Sequence, residues 1–125
     1  MTYEFTIDGW LPGMNQWISA QNTNRFKGAE MKKKAQTKCE KAIAKQLPGI
    51  QITKPIRLHY IWYERNRRRD HDNVSGFGHK VIQDALVKCG VLKDDGWSEI
   101  VGYTDCFSID RDNPSIIVML EEVDA

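Results

Sequence analysis

The chain has no Cys-x-x-Cys pair, and Cys39, Cys89 and Cys106 are an odd number set far apart. That spacing argues against a disulfide framework and a cysteine zinc site, and makes reduced thiols the expectation. His59, His71 and His79 do not supply zinc-ligand spacing either. No apolar run approaches the ~20 residues that cross a bilayer. The opening Met1-Thr2-Tyr3-Glu4-Phe5 lacks the basic start and apolar stretch of a signal peptide, so a cytoplasmic protein without membrane contact is expected. No repeat, low-complexity segment or linker interrupts the chain. With 125 residues, 41% of them hydrophobic, residues 1–125 read as one globular domain.

A net charge of +1 conceals an uneven distribution. Residues 25–69 carry fourteen Lys and Arg against three acids, whereas residues 70–125 carry twelve acids against four basic residues. The basic half points to nucleic acid. An acidic solvated surface that balances it explains the other half equally well.

Tyr3, Phe5 and Ile7 alternate with polar residues, the period of a half-buried strand, and Gly9 to Gly13 breaks it. A polar loop is expected from Gln16 to Asn24. Met31, Ala35, Cys39, Ala42, Ile43 and Leu47 then keep helical spacing until Pro48-Gly49. Lys34, Lys38, Lys41 and Lys45 stripe another face, either for DNA or simply for water. Ile56 to Glu64 reads as a second strand. A second helix is expected from Asp72 or Asn73, with Val74, Phe77, Val81, Ile82, Ala85, Leu86 and Cys89 inward and Gly90 as its stop. Ile100 to Ile109 and Ser115 to Val123 read as strands around the turn Arg111-Asp112-Asn113-Pro114. The predicted fold is α/β (α+β): a single sheet with two main helices, in the order βαβαββ.

Chemistry concentrates in Arg67-Arg68-Arg69-Asp70-His71-Asp72-Asn73. Forked guanidinium donors suit phosphate, and paired carboxylates suit a hard divalent cation. Asp70 and Asp72, one residue apart in an extended segment, send their side chains the same way. His71 then points to the other side. A third carboxylate is expected from Asp94 or Asp95, returned to the sheet edge by the helix and turn. Helix capping explains Asp72 as well, and an ordinary turn explains Asp94-Asp95-Gly96. One of the three arginines can instead stay in the sheet and pair with a nearby acid. Asn73 caps the helix or steadies Asp70. Lys80 leans toward the helix N-terminus but lies about 12 Å along the axis from Asp72, and His79 is closer in azimuth.

Arg68-Arg69-Asp70-His71-Asp72-Asn73, Lys80, Asp84-Ala85-Leu86, Gly90 and Asp94-Asp95 resemble the RusA-type Holliday junction resolvases, crossover junction endodeoxyribonucleases of phages and prophages. The likeness covers residues 67–97, with a fainter echo of the family's Pro-and-Asn loop in Pro12 and Asn15. It implies a RusA-like mixed sheet and a homodimer that cuts four-way DNA junctions with Mg2+, or Mn2+ as a substitute, in recombination and repair. By position, Asp70, Asp72 and Asp95 match the catalytic metal-binding carboxylates and Lys80 the active-site lysine. Arg69 and Asn73 match supporting residues. Ser75-Gly76-Phe77-Gly78 departs from the family pattern as an added helical turn before Lys80.

The expected function is therefore a metal-dependent phosphodiester hydrolase, with Asp70, Asp72, Asp95 and Lys80 catalytic. Arg67, Arg68, Arg69, Asn73, Lys34, Lys38, Lys41 and Asn15 form its DNA-binding set. A flap or branch nuclease of the same chemistry, and a non-catalytic DNA-binding module, are the alternatives.

Overall fold

The N-terminal alternation forms β1 (Thr2–Asp8), with Phe5 and Ile7 buried, in a computed structural model that describes residues 1–124. The branched and aromatic run that follows the first half forms β2 (Ile56–Glu64), and the last two strands are β3 (Ile100–Ile109) and β4 (Ser115–Glu122). They make one four-stranded mixed sheet in the order β1-β4-β2-β3. β4 pairs antiparallel with both β1 and β2, while β2 and β3 are parallel. A parallel pair needs a crossover. The helix α3 (His71–Lys88) supplies it, leaving the chain beyond the end of β2 and returning it to the start of β3.

The sheet buries one face. In β2 this face holds Ile56, Leu58, Tyr60 and Trp62, and in β4 Ile116, Val118 and Leu120. These side chains share one core with Phe77, Val81, Ile82 and Leu86 of α3 and with Cys39 and Ile43 of a longer helix, α2 (Arg25–Gln46). Gly78 is where α3 lies against the sheet most closely. A Cβ there would stand 2.5 Å from the Trp62 ring, so a larger residue would force helix and strand apart.

The expected order lacked one helix. Met14–Thr23 is helical (α1), where a polar loop was expected from Gln16 to Asn24, so the order is βααβαββ. No residue of α1 is buried, which is why apolar periodicity does not announce it. Tertiary contacts hold it instead. Trp17 packs on Phe77 with ring centroids 5.1 Å apart and donates its indole N–H to the Gly28 carbonyl at 3.2 Å. Asn24 adopts an extended conformation between α1 and α2, and its side chain caps α2 by accepting from the Lys27 N–H. Among the described residues, no helix is long and apolar enough to cross a membrane.

Candidate functional site

The central strand β2 ends at Glu64, the chain turns through Arg65 to Arg69, and α3 begins. Asp70, not Asp72, is the N-cap residue of α3; its backbone is extended, and its carbonyl accepts from Val74 N–H at 3.0 Å. Its carboxylate makes no capping bond. Asp72 lies one residue into the first turn, where the helix dipole favours negative charge. Both side chains are exposed, and both line an open depression of about 900 Å³ with Glu64, Asn66, Arg67 and Phe107. His71, expected to point to the other side, lines the same depression instead, because the segment is helical from His71 on and not extended; its ring stacks on Phe107 with centroids 4.0 Å apart.

Arg69 is the arginine that pairs with an acid. Its Nε and Nη2 donate to Glu64 Oε1 at 3.0 and 2.8 Å, and Nη1 donates to the Leu11 carbonyl at 3.1 Å. The pair is mostly withdrawn from water, at 14% and 13% exposure. Its donors thus join β2 to the N-terminal loop. Asn73 does the same from the helix, its Oδ1 accepting from Asn15 N–H at 2.8 Å. Gly13 fits between them. A Cβ there would stand 2.7 Å from Asn73 Oδ1 and 3.0 Å from Arg69 Nη1. Asn15 therefore enters through its backbone, with its own side chain exposed.

Around this knot the surface is basic. Arg67 and Arg68 are exposed, and the guanidinium carbons of Arg65 and Arg69 lie 5.3 and 5.0 Å from the Trp10 ring centroid. Lys38 donates to the Trp10 carbonyl at 3.3 Å. Lys34, Lys38 and Lys41 line a shallow groove on α2, so the lysine stripe runs up to the same loop. Glu64, Trp10 and Arg65 were not anticipated. An acid ending a buried strand beside three arginines is a usable signal for Glu64; an aromatic in a Gly-Pro loop is a weak one for Trp10.

Lys80, its alternative His79, and Asp95 stand apart from the depression. Lys80 is exposed on α3 and does not line it. His79 is held elsewhere, with Nε2 2.8 Å from Asp105 Oδ1, which also accepts from the Trp62 indole N–H at 2.7 Å. Asp95 lies at the other end of β3, in a hollow with Gln83, Trp97, Ile100 and Tyr103. Gln83 is eleven residues beyond Asp72 on α3, about 16 Å at ~1.5 Å per residue. The turn returns the chain to the sheet edge as anticipated, but to the start of β3 and not to its end. Asp94 serves that turn, accepting from Asp95 N–H at 2.8 Å. Among the described residues of one chain, no three His, Cys, Asp or Glu side chains gather as a metal-binding group.

Cys39 takes no part in the site. Burial pushes the Cys39 thiol up to about 12, outweighing the nearby Lys38 that lowers it, and Cys39 stays protonated in the core. No family model matches the chain, and no curated protein matches it.

Proposed function

We propose that the protein is a metal-dependent endodeoxyribonuclease that resolves four-way DNA junctions in recombination and repair. One observation carries the reading: two carboxylates without partners among the described residues share an open depression with exposed arginine at the end of a buried strand. Asp70 and Asp72 offer hard oxygen donors of the kind that hold Mg2+ or Mn2+. Such an ion, when bound, lowers the pKa of water and offsets charge on the attacked phosphate.

The chain's own groups do the rest. Arg67 and Arg68 anchor the phosphates flanking the cut with forked donors. Lys34, Lys38 and Lys41 track a DNA arm electrostatically, with little reading of bases. Arg69 and Asn73 act indirectly, by fixing the loop and helix that present Asp70 and Asp72. Lys80, so far along α3, belongs to the DNA-holding surface in this reading. Two equivalent strands to be cut call for a two-fold homodimer with one site per copy.

Incubation with an end-labelled synthetic four-way junction tests the reading, with Mg2+ or with chelator, for wild type and Asp70→Asn. Paired nicks are expected with Mg2+ and wild type alone. Intact junction in all lanes, with binding retained, would leave a non-catalytic DNA-binding module, a reading favoured by the distance of Asp95 from its expected companions. Competition by flap and linear duplex separates junction resolution from general branch cleavage.

A further inference from the structure

Two of the four tryptophans are taken up by the fold: Trp62 lies in the core, and Trp17 packs on Phe77. The other two, Trp10 and Trp97, are exposed, and they stand in opposite electrical surroundings. Trp97 follows Asp94 and Asp95 and precedes Glu99, acids that repel a phosphate backbone. Trp10 stands among cations. The guanidinium carbons of Arg65 and Arg69 lie 5.3 and 5.0 Å from its ring centroid, within cation–π range. Nearly half of this large apolar side chain, 47%, still meets water.

The ring is also held in place. Gly9, at φ +80°, turns the chain out of β1 and donates its N–H to the Pro114 carbonyl at 2.8 Å. On the other side Leu11 is buried, its carbonyl bound by Arg69. The Trp10 carbonyl itself accepts from Lys38. Lys38 belongs to the lysine groove of α2, and Arg69 lines the depression that holds Asp70 and Asp72. Trp10 therefore stands between the two, where a DNA arm lying along the groove would hand one strand to the depression.

We propose that Trp10 is a stacking platform for an unpaired nucleobase and gives the protein a preference for branched over continuous DNA. An aromatic ring accepts any base through its π-face, so the platform reads no sequence. It reads structure instead. Inside a continuous duplex both faces of each base are covered by its neighbours; at a branch the stack is interrupted, and a base is uncovered at lower cost. Arg65, itself exposed, adds a guanidinium for the phosphate next to that base. The role rests on the branched-DNA reading above, but not on cleavage.

The test is binding, in chelator, to a synthetic four-way junction carrying 2-aminopurine at the branch nucleotides, beside a linear duplex of the same length. Wild type is expected to prefer the junction and to quench the 2-aminopurine emission. Trp10→Leu keeps apolar cover over Arg69 but offers no flat face. It is expected to lose about tenfold in junction affinity, nothing on the duplex, and the quenching as well. Trp10→Phe keeps a ring and should retain most of both. Equal losses on junction and duplex would mean that the ring only props Arg69, which overturns the platform. So would an unchanged preference in Trp10→Leu, or no quenching by wild type. Mg2+ added afterwards reads cleavage separately. Nicks by wild type and by an equally selective Trp10→Leu would leave the nuclease and end the platform. Selective, quenching binding without nicks would leave the platform and end the nuclease.

Discussion

Arg67 and Arg69 stand two residues apart in one basic run and both line the depression, yet they mark two different regions of its wall. Arg69 is folded into a knot with Glu64, Leu11 and, through Gly13, Asn73; Arg67 is exposed on the rim of the depression beside Asp70 and Asp72. The first region spends its polar groups on the protein itself. The second leaves them for something else. A charge run is therefore no guide to function until its donors have been followed to their acceptors.

The sharpest way to break that contrast is at the free carboxylates. Asp70→Asn removes a charge that no described side chain or backbone group pairs with, so stability should move by no more than about 0.5 kcal/mol. Junction cleavage should fall by at least ~100-fold, the scale for losing one preorganised electrostatic group. Thermal melts and single-turnover nicking measure the two quantities separately. An Asp70→Asn protein that melts much lower would move Asp70 into the knot.

Arg69→Ala should do the reverse. Removing one partner of a buried ion pair costs ~3–5 kcal/mol where the other charge stays dry. Glu64 keeps some access to water, so about 2 kcal/mol is the expected loss by urea unfolding. Glu64→Gln in the same chain should recover part of it, since the stranded charge disappears. Gly13→Ala comes next, at about 1–2 kcal/mol, because its methyl would press on Asn73 and Arg69 without removing a bond. Gly13→Ser of similar or smaller cost would indicate that the loop gives way freely.

All four strands were legible in the sequence, and for one reason. β1, β2, β3 and β4 begin where alternation or branched runs begin, and turn residues mark their ends. α3 was equally plain because its buried stripe is strict. α1 was not, since a helix held by Trp17 and by the Gly13 N–H donating to Gln16 Oε1 buries no residue fully. The same limit applies to the site. Asp70 and Asp72 are neighbours by chain connectivity, so local spacing places them together. Asp95 depends on which end of β3 the turn reaches, a matter of helix length against strand length that residue spacing leaves open. The knot was only half visible: a pairing arginine was anticipated, but its partner and the loop it ties down are tertiary facts.

The smallest expected effect is at Arg67, and it tests the other side of the comparison. Its guanidinium carries no bond that the fold relies on, so Arg67→Ala should leave the melting midpoint within the change expected of an ordinary surface substitution, about 0.5 kcal/mol or less. Junction affinity should weaken, and more so at low salt, because one fewer phosphate is neutralised. The slope of log K against log salt should therefore become shallower by about one. Arg69→Ala, measured the same way under conditions where it stays folded, should keep the wild-type slope, since its donors already face Glu64 and Leu11. Equal changes of slope for the two variants would mean that the knot opens on DNA and frees Arg69 to bind phosphate as well.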